Sequence, residues 1–228
     1  MRVQEKNIKG FNLIELLVVI AIISVISAAA YPNFSSWKKA REVRGAAVKI
    51  KSLFTNINSQ VQRGLYGFIQ VEVTASTTGG EVVVISKGMK LSNLAQKINN
   101  SEDDWNKDQT SRCAKDQDWD DEGMDSEGIK SNKLEVNFLK FDDIAVNFED
   151  KSGTVCFSKD GSWYSTAEKF ESSGAFYICE GKEIKCDVKE DGDPNDLNQD
   201  NLFALNWSRF GNITLEKWSK SKSEWILQ

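Results

Sequence analysis

Residues 10–30 read Gly-Phe-Asn-Leu-Ile-Glu-Leu-Leu-Val-Val-Ile-Ala-Ile-Ile-Ser-Val-Ile-Ser-Ala-Ala-Ala, and they decide what the first part of the chain forms. No charged residue occurs from Leu16 to Ala30. As a helix, residues 11–30 would be about 30 Å long, which matches the hydrocarbon core of a bilayer. The preceding leader carries three basic residues, Arg2, Lys6 and Lys9. Because basic residues favour the cytoplasmic side, we expect a transmembrane helix at 11–31 whose N-terminal end lies at the cytoplasm.

One acidic residue, Glu15, interrupts this apolar stretch. An ionised carboxylate in hydrocarbon is costly, so such a residue usually has a function. The junction Gly10-Phe11, followed by Glu15, resembles the class III signal of the type IV pilin and pseudopilin superfamily. The resemblance implies that residues 1–10 are a leader, that a prepilin peptidase cuts between Gly10 and Phe11, and that Phe11 is then N-methylated. It also implies that Glu15 serves subunit assembly.

Two other interpretations of this segment remain open. Residues 28–30, Ala-Ala-Ala, would satisfy the small-residue rule of a secretory signal peptide that is cut before Tyr31. A plain uncleaved anchor is the second alternative, but it explains neither Glu15 nor the Gly10-Phe11 junction.

The helix is expected to continue as an amphipathic half over residues 32–64. Pro32 predicts a kink where the helix leaves the membrane, and Gly64 is a suitable end. Apolar residues recur at intervals of three to four positions or multiples of these, which predicts a stripe that packs on a sheet. The stripe is predicted to consist of Phe34, Trp37, Val43, Ala47, Ile50, Phe54, Ile57 and Val61.

Beyond residue 64 the apolar period changes to two, which is typical of strands. The expected strands are 69–73, 82–85, 134–138, 144–148, 154–157, 175–179 and 212–218, with a short helix at 90–98. This order predicts an α+β, pilin-like fold: one long N-terminal helix, with a transmembrane first half, packed on an antiparallel β-sheet domain. The globular domain would span residues 65–228.

Two short segments resemble the GspH/FimT group of minor pseudopilins and minor pilins. Residues 44–47, Arg-Gly-Ala-Ala, with Gln62-Arg63-Gly64 at the helix end, are similar to the helix and helix exit of that group. Residues 154–162 resemble its strand-and-turn segment. Two acidic insertions, 102–128 and 187–200, depart from a compact family domain.

Four cysteines lie in the part expected to be exported, and an even number there suggests two disulfides. Three pairings exist. We favour Cys179–Cys186, which a hairpin can close, and this leaves Cys113–Cys156. A zinc site is the alternative, but the chain has no Cys-x-x-Cys pair.

The insertions and the C-terminal tail raise two binding hypotheses. Alternating carboxylates could hold calcium, but no EF-hand spacing is present and a solvated acidic loop is the simpler explanation. The calcium candidates are Asp118, Asp120, Asp191 and Asp193. The tail mixes tryptophans with basic residues, as DNA-binding surfaces do, but a final strand with buried tryptophans is the alternative. The DNA candidates are Arg209, Lys217, Lys220 and Lys222.

The composition limits the classes of function. The net charge of −5 argues against broad nucleic-acid affinity, and the absence of histidine excludes imidazole chemistry. No catalytic motif occurs, so we expect no enzyme and no cofactor.

The predicted function is that of a minor subunit of a type IV pilus or a type II secretion pseudopilus. The alternative is a tip-exposed binding subunit, for DNA capture or adhesion. The resemblance implies a single-pass inner-membrane protein with a periplasmic domain, which later enters a filament. Its implied partners are other pilin or pseudopilin subunits, the prepilin peptidase, inner-membrane lipid and assembly platform proteins.

Overall fold

The structure, a computed structural model, describes residues 12–75, 80–100, 113, 134–146, 152–159, 163–165, 174–181, 186–189, 192–197, 199, 201–208 and 212–228. The chain divides into two compact units, residues 1–39 and residues 40–228. The described residues form one long helix followed by two antiparallel sheets and a short second helix, so the α+β prediction is confirmed.

Helix α1 runs from Leu13 to Gln62, and its backbone is helical at position 32. The Asn12 side chain caps its start, since the backbone amide of Ile14 donates to Asn12 Oδ1 at 3.5 Å. The kink proposed at Pro32 stays a prediction.

The C-terminal end of α1 closes in a Schellman motif. The backbone amide of Leu65 donates to the Gln60 carbonyl at 3.1 Å, and that of Gly64 donates to the Val61 carbonyl at 2.9 Å. Gly64 has φ +74°, a left-handed conformation that glycine adopts without steric cost. The glycine therefore ends the helix where the sequence predicted.

The first sheet has five strands in the order β3-β2-β1-β5-β6, and all its neighbours are antiparallel. These strands are β1 (Phe68–Ala75), β2 (Glu81–Met89), β3 (Leu134–Asp142), β5 (Ser152–Ser158) and β6 (Trp163–Ser165). Helix α2 (Leu91–Asn100) follows β2. In the register of β1, Val71 pairs with Ser86 on one side and with Val155 on the other.

The second sheet also has five antiparallel strands, in the order β10-β9-β8-β7-β4. Its strands are β4 (Ile144–Val146), β7 (Ala175–Glu180), β8 (Phe203–Trp207), β9 (Ile213–Ser219) and β10 (Glu224–Leu227). The chain passes from the first sheet to the second at Asp143, which separates β3 from β4 and has φ 59°.

The main core of the unit 40–228 joins residues of α1 to both sheets. Phe54 is fully buried at its centre, with ring centroids 5.8 Å from Phe157, 5.7 Å from Phe176 and 5.9 Å from Trp207. Those three partners lie on β5, β7 and β8, so one helix residue contacts strands of both sheets. The core stripe of α1 consists of Val43, Ala46, Ala47, Ile50, Phe54, Ile57 and Val61.

The predicted stripe was wrong at its first two residues. Phe34 and Trp37 are exposed over 61% and 56% of their surface. At about 100° per residue, the nine positions from Phe34 to Val43 amount to two and a half turns. Apolar spacing alone therefore assigned Phe34 to a stripe that occupies another side of the helix.

Candidate functional site

Glu15 lies in the first turn of α1, two residues after the helix begins. The unsatisfied amides of that turn give it a partial positive charge, which favours a carboxylate there. Glu15 is exposed in the isolated chain. It is the one charged residue of the described segment that precedes Lys38.

The segment around Glu15 exposes aliphatic side chains on every side of the helix. Leu13 is exposed over 75% of its surface and Val25 over 71%. A helix that is apolar all round needs an apolar environment or other helices to bury it. The exposed aliphatic residues are Leu13, Ile14, Leu16, Leu17, Val18, Val19, Ile20, Ile22, Ile23, Val25 and Ile26.

The hydroxyl of Ser24 is satisfied inside this segment. Ser24 Oγ donates to the Ile20 carbonyl at 2.7 Å. A serine bonded in this way can be buried against other apolar helices without losing a hydrogen bond to water.

Among the residues that the structure describes, no helix is both long enough and apolar enough to cross a membrane.

The proposed cleavage and methylation residues, Gly10 and Phe11, lie outside the described residues. Glu15 is therefore the part of the predicted assembly site that the structure places.

Both disulfides join the cysteines that the sequence favoured. Cys113 and Cys156 are bonded with a Cα–Cα distance of 5.7 Å, and Cys179 and Cys186 with one of 5.8 Å. The first bond lies among buried residues of β1, β2 and α2, including Phe68. This disulfide therefore holds Cys113, which lies in the predicted insertion 102–128, against strand β5 of the first sheet.

The second disulfide belongs to a separate apolar cluster on the second sheet. Cys186 packs there with Val188, Leu202 and Trp218. Trp218 Nε1 donates to the Leu197 carbonyl at 3.2 Å, and Val188 forms an isolated bridge with Pro194. The described parts of the insertion 187–200 therefore pack on the second sheet.

A buried polar row on the first sheet was not anticipated from the sequence. Gln70, Glu72 and Lys87 are all less than 9% exposed. Lys87 Nζ lies 3.6 Å from Glu72 Oε2, and Gln70 Nε2 donates to the Cys113 carbonyl at 3.1 Å. The sequence does show which residues share this face, because Gln70 and Glu72 alternate along β1 with the core residues Ile69, Val71 and Val73. Sequence alone did not show that something covers this second face.

A second cross-strand ion pair lies at the surface of the same sheet. Lys140 Nζ is 2.8 Å from Glu81 Oε2, and both side chains are exposed. The hydrogen bond to Glu81, together with its negative charge, raises the pKa of Lys140.

The calcium candidates Asp118, Asp120 and Asp191 lie outside the described residues. Asp193 is described, in the loop where the Lys189 amide donates to the Asp193 carbonyl at 2.8 Å. The described residues contain no cluster of three or more metal-ligating side chains.

The DNA candidates are only partly described, because Arg209 lies outside the described residues. Lys217 lies on β9 with its Nζ 6.0 Å from the centroid of the Phe203 ring. Lys220 and Lys222 are exposed in the turn between β9 and β10, and Lys222 Nζ is 3.5 Å from Glu224. The tail forms the end of β8 and two further strands, where a single last strand was predicted. Its residues Trp207 and Trp218 are buried.

Comparison with known proteins identifies the N-terminal segment. The family model described as the prokaryotic N-terminal methylation motif matches residues 6–31, which include Gly10, Phe11 and Glu15. The chain is 40% identical to the type IV major pilin protein PilA of Myxococcus xanthus (strain DK1622) over 57 residues, which are 24% of this chain and 26% of that protein. Two fimbrial proteins of Pseudomonas aeruginosa are 36% identical over 56 residues, which are 25% of this chain and 36% of their own length.

The chain therefore spans between a quarter and about a third of the length of these relatives. No solved structure matches it. The methylation motif and the identity with type IV pilins over about a quarter of the chain support the pilin-like superfamily, which residues 10–15 had indicated.

Proposed function

We propose that this protein is a subunit of a type IV pilus or of the related type II secretion pseudopilus. The observation that carries the proposal is the helical segment 13–26, which exposes aliphatic side chains all round and has Glu15 in its first turn. The methylation motif over residues 6–31 supports it, since a class III signal implies a membrane-anchored pilin that enters a filament.

In this account, a prepilin peptidase cuts between Gly10 and Phe11, and Phe11 is N-methylated. The precursor is held in the inner membrane with its globular domain in the periplasm. Assembly platform proteins then transfer it from lipid into a filament, where neighbouring helices cover the apolar segment.

Glu15 has a physical reason to matter in that transfer. A carboxylate enclosed by apolar helices needs a positive partner, because an unpaired buried charge costs several kcal/mol. The amine of Phe11 in a neighbouring subunit would supply it. The pair would form in one axial position only, so it would set the register of each incoming subunit.

We further infer a minor subunit of the GspH/FimT kind. The segments 44–47 and 154–162 favour that group. The acidic insertions at 102–128 and 187–200 support a minor role, because like charges repeated along every turn of a filament would repel one another.

The test compares two glutamates of the same helix. Glu15→Gln should leave cleavage and membrane content unchanged but should remove the protein from sheared, purified filaments. Glu42→Gln, at an exposed position further along α1, is the matched control and should enter filaments normally. Equal recovery of both variants in filaments would contradict the assigned role of Glu15.

The alternative function is a tip-exposed binding subunit, for DNA or for a surface. The exposed turn that carries Lys220 and Lys222 is the observation that favours it. Replacement of the candidates Arg209, Lys217, Lys220 and Lys222 by Ala should then abolish a salt-sensitive DNA shift without loss of filaments. If the wild-type protein binds no DNA, but filaments are lost when it is absent, the structural role alone is supported.

A further inference from the structure

Three exposed aromatic side chains follow the aliphatic segment of α1, and all lie in the unit of residues 1–39. Tyr31 is 75% exposed, Phe34 61% and Trp37 56%. They are spaced three residues apart, and the ring centroids of Phe34 and Trp37 are 5.9 Å from each other. Residues three apart are neighbours on a helix surface, so the three residues form an aromatic strip along the helix.

Positive charge begins where this strip ends. No charged residue lies between Glu15 and Lys38, and Lys38 is followed at once by Lys39. Both lysines are exposed. Lys38 is four residues after Phe34 and seven after Tyr31, so helical spacing places it on the same face of the helix as the strip.

This order of side chains fits the boundary between hydrocarbon and water in a bilayer. Tyrosine and tryptophan concentrate there, because each has an apolar ring and a polar tip. Lysine extends its methylene chain along apolar surface and places its ammonium group among the head groups. A lysine near an anionic surface gains about 1 kcal/mol, which is roughly a fivefold preference.

We propose that Tyr31, Phe34, Trp37, Lys38 and Lys39 form an interfacial site that binds anionic phospholipid. This rests on the proposed function, because it concerns the subunit in its bilayer before assembly. The aromatic rings sit at head-group level, and the two ammonium groups collect lipids whose phosphate charge is not balanced by a choline or an ethanolamine. The site would set the depth of the helix and the lipid composition around it.

The other occupant to consider is the acidic surface of a second copy. It would use the lysines as well, since the chain has a net charge of −5. It gives no role, however, to three amphipathic or apolar rings that adjoin an exposed aliphatic helix. Lipid accounts for the rings and the charges together.

The experiment measures lipid selectivity around the full chain reconstituted in phosphatidylcholine bilayers. Electron paramagnetic resonance of spin-labelled lipids gives the association of phosphatidylglycerol relative to phosphatidylcholine. We expect a preference of severalfold for phosphatidylglycerol that falls as salt is raised. The double variant Lys38→Gln/Lys39→Gln should lower the ratio severalfold, towards the value that the basic leader residues Arg2, Lys6 and Lys9 alone produce.

The matched control is Lys220→Gln/Lys222→Gln, which removes the same charge from an exposed turn and should keep the wild-type ratio. A ratio near one for the wild type, or an equal fall in the control, would overturn the lipid site while the anchored subunit stands. A chain that does not enter phosphatidylcholine bilayers at all would contradict the proposed function itself, and this site with it.

Discussion

Glu72 on β1 and Lys87 on β2 form an ion pair whose side chains are 10% and 7% exposed, with a nitrogen–oxygen distance of 3.6 Å. Thr74 Oγ1 adds a hydrogen bond of 3.2 Å to the other carboxylate oxygen of Glu72. Lys87 lies opposite Gln70 in the strand register, so it reaches Glu72 diagonally across the sheet. A charged pair therefore occupies the face of the first sheet that is opposite to the helix-packed core.

Removing one partner of this pair should be far more harmful than removing both. Lys87→Met leaves a buried carboxylate without its cation and should lower the free energy of unfolding by about 3–5 kcal/mol. Glu72→Leu/Lys87→Met leaves no charge behind and should lie close to the wild type. Guanidinium unfolding of the full chain in detergent measures both. A single variant as stable as the wild type would show that the pair is not buried as described.

The two disulfides should differ in their contributions because they close loops of different length. Cys113 and Cys156 are separated by 43 positions and Cys179 and Cys186 by 7. Loop-closure entropy then assigns about 4 kcal/mol to the first and about 2.5 kcal/mol to the second. The variants Cys113→Ser/Cys156→Ser and Cys179→Ser/Cys186→Ser should follow that order in denaturant midpoint. The reverse order would mean that loop length does not govern their effect.

Local patterns predicted much of this fold. The second half of α1 has its core residues at helical spacing, and β1 and β2 show alternation that one sequence reveals. The strand β8 (Phe203–Trp207) was missed although Phe203, Leu205 and Trp207 alternate, because it is only five residues long and directly follows the segment assigned to an acidic insertion. The strand β6 (Trp163–Ser165) is only three residues long, too short to show a pattern. The division into two sheets depends on long-range pairing, such as that of β5 with β1, which no local pattern contains.

The candidate site shows the same contrast between local signals and contacts distant in sequence. The candidate Glu15 rests on a local signal, one charge in an apolar stretch after Gly10-Phe11, and its role in assembly stays a prediction. The exposure of Trp37 could not be predicted, because apolar spacing alone does not show which apolar residues of a helix are packed. The partners of Gln70 and Lys87 were equally hidden, since they come from residues distant in sequence.

Phe54 should be the most sensitive apolar residue of α1. Its ring is fully buried and lies within 6 Å, between centroids, of three other aromatic rings. Phe54→Ala should cost about 3–5 kcal/mol of unfolding free energy, because the cavity cannot close against both sheets. Phe34→Ala, on the same helix but exposed, should change it by less than about 0.5 kcal/mol. Equal destabilisation by the two would contradict the core assignment.

Replacement by alanine should change the stability in opposite directions at Gly45, inside α1, and at Gly64, at its end. Gly64→Ala forces a Cβ into the left-handed region and should destabilise by about 1 kcal/mol, although only the flexible Lys159 side chain lies near. Gly45→Ala meets no atom within 4 Å and lies inside the helix, so it should stabilise by about 0.5–1 kcal/mol. Thermal unfolding monitored by circular dichroism gives both. Stabilisation by Gly64→Ala would argue against the left-handed end at Gly64, and destabilisation by Gly45→Ala would argue against an open helical position at Gly45.

The central claim is that this chain is processed and assembled as a pilin. Its most direct test is the intact mass and N-terminal sequence of the protein purified from native membranes. We expect a chain that begins at N-methylated Phe11, with the first ten residues removed. A chain that begins at Tyr31 would instead be the product of a secretory signal peptidase. It would lack Glu15 and the aliphatic helix, and the pilin account would be wrong.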